Sequence, residues 1–556
     1  MARKKINLKI SSVDTREMRL GTITSWDGSA SELVDASRYE ARGRGRVTGG
    51  GEADREGCHG GGKVCRLREL KMPFNQQTMC SHAIVACQLG NLTDCILVEH
   101  APIGCSASNA RFNQGFKIGL ARRGKPIQSI QIFSTNLKEN DMVFGASDRL
   151  RQTVRDANER FGPKAIFISM SCSTAIIGED LDSLAQELET ELKIPVVPVY
   201  CEGFRSKHWS TGFDASQHGI VRQIVNKNPK KQNDLINIVA LWGTDYFTPM
   251  LAPLGLRVNY MVDMASFSEL RQASEAAATA TFCHTLGSYM ATALEEYYGV
   301  PQIDAPQPFG IAGTDDWLRA VAKAVGKEDI IDDYIESEHR RISPRLEELR
   351  KILKGVKGFV STGSSYAHAM ISVIRDLGIE VEGSIVFHHD PVYDAGHENQ
   401  DTLGHLVRNS GDLAHFTVSQ TQQFQFHGLL KRVNPDFIII RHNGLAPLAA
   451  KLGIPSFPMG DEHFPLGYDG IIRTGEALIG ILAKKKFNAV LKRHVEIPYT
   501  DWWLSQEDQF ILAKHPEILD EPDETKTPLG ADRSANPIQM DPDDNLSAPE
   551  EKLRYA

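Results

Sequence analysis

The 556-residue sequence has no cysteine after position 283, although nearly half the chain follows it. Its nine cysteines stand at 58, 65, 80, 87, 95, 105, 172, 201 and 283. No pair is spaced as CxxC, which excludes the close-spaced thiolate sites of small zinc and ferredoxin-type modules. A chain of this length does not need a disulfide framework to fold, and this cysteine distribution does not describe one. Long apolar runs are also lacking. Segments such as FIII at 437–440 fall far short of the ~20 residues that cross a bilayer. The opening MARKKINLKISS is basic but has no apolar stretch behind it, so no secretory signal is read and a cytoplasmic protein is expected. There is no HExxH and no GxSxG. A net charge of −9 with pI ≈ 6.1 argues against a nucleic-acid-binding surface. Residues 520–556 carry ten acids against four bases, so most of the excess charge lies in the tail and the body is close to neutral.

Hydrophobic residues make up 41% and charged residues 24%, the composition of a globular protein with about three or four domains. Residues 1–75 read as an N-terminal extension. Its ARGRGRVTGGGEADREGCHGGGK stretch, rich in glycine and charge, predicts loop with local order at most. GCHGGGKV (57–64) has the GxxxxGK spacing of a phosphate loop, but Val64 stands where Ser or Thr would hold Mg²⁺ and no strand precedes it. From 76 onward, short β-branched runs alternate with helical stretches. They include ILVEH (96–100), AIFISMS (165–171), PVVPVY (195–200), INIVALW (236–242), TATF (279–282), GFVSTG (358–363) and PDFIIIRH (435–442). Continuous apolar strands followed by helices predict an α/β protein with three doubly wound, Rossmann-like parallel-sheet domains, at 76–234, 235–350 and 351–500. The breaks fall at NKNPKKQND and at the charged helical stretch around 330–357. The Pro-rich acidic residues 501–556 read as a tail.

Three cysteines share one setting. Cys105 follows ILVEH through APIG, Cys172 follows AIFISMS, and Cys283 follows TATF. Each belongs at the carboxyl end of a strand, just before a helix, where open α/β sheets bind ligands and where helix N-termini favour thiolate. Cys80 precedes an apolar helix. Thiolates are the ligands of iron–sulfur clusters. A cluster here would draw its ligands from distant loops, and from two chains. Cys87, Cys95 and Cys201 fall in element interiors and read as packing. Cys58 and Cys65 have no such setting.

Six segments in order, between about 76 and 480, resemble the α-type subunit of the nitrogenase family. They are Cys80 with EHAPIGC, STNLKENDMVFG (134–145), Cys172 before STAIIGEDLDS, VPVYCEGFRS (197–206), Cys283 before LEEYYGVP, and GIPSFPMGDEHFPLGYDG (453–470). The resemblance implies that Cys80, Cys105 and Cys172 are the α-side thiolates of an eight-iron, P-cluster-like relay cluster ([8Fe-7S]) shared with a β-type subunit. It implies that Cys283 and His463 bind opposite ends of an active-site cluster like the iron–molybdenum cofactor (FeMo-co), with His442 and His388 as alternatives to His463. It also implies an α2β2 heterotetramer and an ATP-hydrolysing iron-protein reductase, with Leu137 on the docking surface.

The sequence departs from the nitrogen-fixing members within KHWSTGFDASQH (207–218). Phe213 replaces a histidine that donates to a cofactor sulfide, and Trp209 replaces a glutamine beside the organic acid. Aromatic rings in these places favour an apolar organic substrate. GSSYAH (363–368) replaces a segment with a cofactor-contacting Arg, leaving Tyr366 and His368 there, and RHNGLAP (441–447) lacks the Lys that steadies homocitrate. Among family members the sequence is most similar to methylthio-alkane reductases, which cleave C–S bonds of small thioethers. The alternatives are another nitrogenase-like reductase, of nitrogen or tetrapyrroles, and a non-catalytic cofactor-assembly scaffold. Trp209, Phe213 and His208 are the expected catalytic-pocket residues, with His218, His284, His388 and His389 as further proton donors.

Overall fold

The computed structural model describes residues 5–23, 25–41, 80–107, 109–206, 208–239, 243–396, 401–419, 423–441, 445–459, 464–497 and 500. Its strands are β1 Ser25–Gly28, β2 Cys95–His100, β3 Ile132–Ser134, β4 Ala165–Met170, β5 Val196–Tyr200, β6 Gln232–Val239, β7 Arg257–Met261, β8 Ala276–Thr281, β9 Lys357–Thr362, β10 Glu380–Val386, β11 His415–Ser419, β12 Phe437–Ile440 and β13 Ser456–Pro458. They form three sheets, ordered β3-β2-β4-β5, β7-β6-β8 and β1-β11-β10-β9-β12-β13. Every pairing is parallel except β1 with β11. The strands are continuous apolar runs because helices cover both faces. All six residues of β2 and of β4, and all four of β12, are buried. No helix among the described residues is long and apolar enough to cross a membrane.

Two apolar cores meet at the helix His284–Tyr298. Cys283, at its start, belongs to the core shared by the second and third sheets. Tyr289 and Met290, nearly two turns further, belong to the core shared by the first and second. Its N-terminus is therefore held where all three layers converge.

Part of the expected N-terminal loop is built into the fold. Residues Arg16–Leu20 form a helical turn, β1 adds to the third sheet antiparallel to β11, and Ala30–Ala41 is a helix. The cause is burial too local for periodicity to show. Trp26, paired opposite Val418, is 1% exposed, and Leu33, Val34 and Ala36 face the same core. A single tryptophan removes enough apolar area to anchor a four-residue edge strand. The glycine-rich stretch with Cys58, Cys65 and GCHGGGKV, and the tail from 501, lie outside the described residues.

The charged stretch around 330–357, read as helical, is almost entirely one 26-residue helix, Glu328–Leu353. Ile331, Ile335, Ile342, Leu346, Leu349 and Leu353 form its buried stripe against the helices Gly310–Val325 and Gly467–Leu482. Pro344 sits inside it. The short edge strand β13 was not expected from sequence. It spans three residues and ends on Pro458, which an edge position tolerates.

Candidate metal-cluster and pocket sites

Three strand ends and one helix start build the first site. Cys80 is the residue preceding helix Ser81–Leu89, and Cys105 lies in the short helix Ile103–Ser106 after β2. Cys172 opens helix Cys172–Ile176 after β4, where Ser171 caps the helix by accepting from the Thr174 amide. After β5, the Gly203 amide donates to Cys172 Sγ at 3.2 Å. Gly203 is pressed against two of the thiols. A Cβ there would stand 2.9 Å from Cys80 Cβ, 3.5 Å from Cys80 Sγ and 3.6 Å from Cys172 Sγ. The third thiol shares this neighbourhood. Burial raises the Cys105 pKa, and the negative fields of Cys80, Glu99 and Cys172 raise it further. Cys105 is exposed and the other two are half-buried, so the thiols open onto a surface. Ile103, Ile176 and Phe204, all exposed, lie on the same turns.

Among the described residues, no three His, Cys, Asp or Glu side chains close on one point to hold a single metal ion. The donor set instead fits an inorganic cluster larger than one ion, seated between the turns. Cys80, Cys105 and Cys172 would hold this chain's side of it. The glycine, which leaves no side chain in the cradle, fits the same group.

Cys283 caps the helix His284–Tyr298 and is 4% exposed. Its Sγ lies 3.2 Å from Ser365 Oγ, at the start of helix Ser364–Asp376 beyond β9. Burial pushes the thiol up, while hydrogen bonds from Ser365, from Thr285 and from the Leu286 backbone act the other way. These donors would stabilise a metal-bound thiolate, so the residues present fit a thiolate-held cluster. Beyond β10, His388 Nε2 lies 3.2 Å from Thr285 Oγ1 and 3.3 Å from Ser364 Oγ. The Trp209 ring meets His388 at 6.2 Å and Phe213 at 5.8 Å, both edge to face, and the His208 ring is 6.4 Å from His388. Trp209, Phe213 and Ile84 form one small apolar cluster with Leu286 packed against it. The structure thus brings Trp209, Phe213 and His208 beside the first turn of the Cys283 helix. On another side, Phe464 contacts Phe282 and Tyr366 at 4.9 and 5.7 Å, and the Arg441 guanidinium lies 4.8 Å over Phe464.

The other candidate histidines divide clearly. His463 and His442 lie outside the described residues. His368 turns to Thr402 (2.9 Å), within a buried group that includes Asp394. His389 meets Ser37 (2.8 Å), and His284 stacks on Tyr393 (5.0 Å). His218 is fixed by the Tyr289 hydroxyl and the Ile10 carbonyl, each at 2.7 Å. Of the five expected proton donors, His208 and His388 adjoin the aromatic pair. Leu137, expected on a docking surface, is buried, and its amide donates to the Ala101 carbonyl at 3.1 Å. Val143 and Phe144, on the following helix, are the exposed apolar residues there. Sequence reasoning missed Arg16, Ser365 and Asp390. Of these, only Asp390 had a visible signal, in the HHDPVYD run.

Buried neutral histidines give the fold a pH dependence. Burial pushes His100 and His218 down to about 4 and His389 to about 3. The unfolded chain protonates them near 6.5, so it binds more protons than the folded chain between those values. Stability is therefore full above pH 6.5 and is lost as pH falls toward 4. Between pH 7 and pH 5 each should cost about 2 kcal/mol. Urea unfolding midpoints measured across that range check the slope, and His218→Gln should flatten it.

Residues 80–482 match the family model described as nitrogenase component 1 type oxidoreductase. The chain is 26% identical over 413 residues to the nitrogenase iron-molybdenum cofactor biosynthesis protein NifE of Methanococcus maripaludis, covering 71% of this chain and 81% of that protein. It is 30% identical over 328 residues to the nitrogenase molybdenum-iron protein alpha chain of Methanococcus maripaludis, covering 55% of this chain and 67% of that protein. The fold matches a solved structure titled nitrogenase Cp1 at pH 6.5 with a TM-score of 0.65 at 20% identity, over 77% of this chain and 92% of that one. The protein is a member of the nitrogenase component 1 type oxidoreductase family.

Proposed function

We propose that the chain is the α-type catalytic subunit of a nitrogenase-like reductase that cleaves C–S bonds of small methylthio-alkanes. Such substrates include 2-(methylthio)ethanol and dimethyl sulfide, and the products are methanethiol and a hydrocarbon. The observation that carries this reading is the Trp209–Phe213 pair at 5.8 Å, packed with Ile84 and Leu286 beside Cys283. Two rings offer apolar area and no donor that would bond a sulfide through Phe213.

On this reading Cys80, Cys105 and Cys172 hold a P-cluster-like relay cluster with a β-type partner in an α2β2 assembly. Cys283 and His463 hold the active-site cluster, and an ATP-hydrolysing iron protein is the electron source. The bound cluster supplies the low-potential electrons that break the C–S bond. The chain's own residues do the rest. Trp209, Phe213 and Leu286 bind the methyl and alkyl groups and keep water away from them. For dimethyl sulfide the overall change consumes two electrons and two protons, one proton to carbon and one to sulfur, giving methane and methanethiol. For 2-(methylthio)ethanol one proton goes to sulfur, the other leaves with the hydroxyl as water, and the hydrocarbon is ethylene. His208 and His388 adjoin the aromatic pair and carry protons to it. Burial keeps His388 neutral at pH 7, with its pKa pushed down to about 4, and Thr285 and Ser364 share its Nε2.

A second reading is supported by the likeness to NifE, a nitrogenase iron-molybdenum cofactor biosynthesis protein, 81% of whose length is covered. There the same cysteines would load a cluster without turning over a thioether. Anaerobic copurification with the β-type partner, metal analysis, and a headspace assay with iron protein and ATP separate the two. The catalytic reading expects about sixteen irons per αβ unit together with methanethiol and hydrocarbon. Iron without product supports the scaffold. Phe213→His should lower kcat/KM for the thioether by about tenfold or more, and an unchanged value would refute the pocket assignment.

A further inference from the structure

One buried cation is not explained by the family match, which begins at residue 80. Arg16 lies in the segment 5–23, is 0% exposed, and reaches three separate walls of the Cys283 site. Its Nη2 donates to the Thr285 carbonyl at 2.7 Å, in the first turn of the Cys283 helix. The same nitrogen pairs with Asp214 at 2.8 Å, on the helix Thr211–Gly219 that carries Phe213. Its Nη1 meets Asp390 at 3.5 Å, two residues beyond His388. Arg16 Nε, also buried, has no hydrogen-bond partner among the described residues.

Neighbouring residues repeat these ties. Arg19 pairs with Asp214 at 2.9 Å and lies 5.2 Å over the Tyr289 ring. Thr22 donates to Asp390. The backbones of Ile23 and His389 exchange two hydrogen bonds of 2.9 Å. Nearer the start, the Ile6 amide donates to Glu296 at 2.9 Å, so the segment runs along the Cys283 helix. Burial opposes ionisation of Arg16, but Asp214 and Asp390 outweigh it and Cys283 adds to them. The guanidinium therefore stays charged. A planar fork can hold three acceptors in fixed directions, which a lysine ammonium on a flexible stem cannot.

We propose that Arg16 is a positioning residue of the Cys283 chamber. From the strap 5–23 it ties Thr285, Asp214 and Asp390 together, and so sets the spacing among the Cys283 turn, the Trp209–Phe213 wall and the His388 loop. This rests on the reading that the Cys283 chamber is the active site, but its test does not.

Hydrogen–deuterium exchange on the full chain with its partner, prepared without clusters, reads the spacing directly. In Arg16→Gln, amides in 283–288, 208–214 and 387–394 should exchange about tenfold faster or more, while β2 and β4 stay as in the wild type. Arg16→Lys should be intermediate. Thr22→Val, which removes only the hydroxyl on Asp390, should loosen 387–394 alone. In iron-loaded material, Arg16→Gln should broaden the electron paramagnetic resonance signal of the active-site cluster and leave the relay signal unchanged. Unchanged exchange, or faster exchange spread evenly over all three sheets, would overturn the proposal. If Arg16→Gln proves insoluble, Arg16→Lys and Thr22→Val decide by the same criterion. A wild-type protein without iron or turnover would refute the functional reading and leave the exchange result standing.

Discussion

On the proposed thioether-reductase reading, Cys283→Ala is expected to abolish turnover, to below about one-thousandth of the wild-type rate, while leaving the fold and the proposed relay iron in place. Cys283 is the thiol at this point of its chamber, and its immediate neighbour, Ser365 Oγ at 3.2 Å, is a hydroxyl with little affinity for iron. Trimming one buried sulfur leaves a small cavity costing about 1–2 kcal/mol, so the variant should still purify with its partner. Iron per αβ unit should fall by about half, and the resonance signal of the active-site cluster should vanish while the relay signal persists. Cys283→Ser keeps the hydrogen bond to Ser365 and should lose the cluster all the same. Full iron and turnover in either variant would remove Cys283 from the site.

Gly203→Ala should do the reverse. The added carbon stands 2.9 Å from Cys80 Cβ, closer than side-chain carbons approach, and the contact is with a residue fixed as a helix cap. Cys80 must therefore shift. Cys172, whose sulfur accepts from the Gly203 amide, must shift with it. A displacement of about 1 Å is enough to spoil a multi-thiolate site. The expected result is loss of the relay signal, about half of the iron, and no electron delivery, so turnover falls at least a hundredfold. Gly480→Ala is the control. A Cβ at Gly480 meets nothing within 4 Å, and alanine within a helix stabilises by about 0.5–1 kcal/mol.

What the sequence showed and what it hid follow one physical division. Strands β2, β4, β8 and β9 were legible because parallel strands buried on both faces are unbroken apolar runs, and a cysteine after such a run is placed by the topology. Cys105, Cys172 and Cys283 were therefore findable before any coordinates. Trp209, Phe213 and His208 lie on an irregular turn and a short helix, and only their order relative to the VPVYCEGFRS segment located them. β1 was illegible because four residues give no period to count, and its anchor is a contact between Trp26 and a core formed far along the chain. Arg16 was hidden for the same reason. An arginine in TREMRL reads as surface until Asp214 and Asp390 are seen to enclose it. Long-range polar closure leaves no local pattern, whereas apolar burial in regular elements does.

The strap also bears on how the molecule is made. Arg16 and Asp390 are 374 positions apart, so on a translating ribosome the strap meets Asp214 and Thr285 before Asp390, and β1 behind it has no strand partner until β11 has been synthesised. Closing so large a loop is slow, and through that interval the third sheet presents a bare β11 edge to other nascent chains. Closure of the sheet by β1 is then among the late events of folding, and it removes that bare edge.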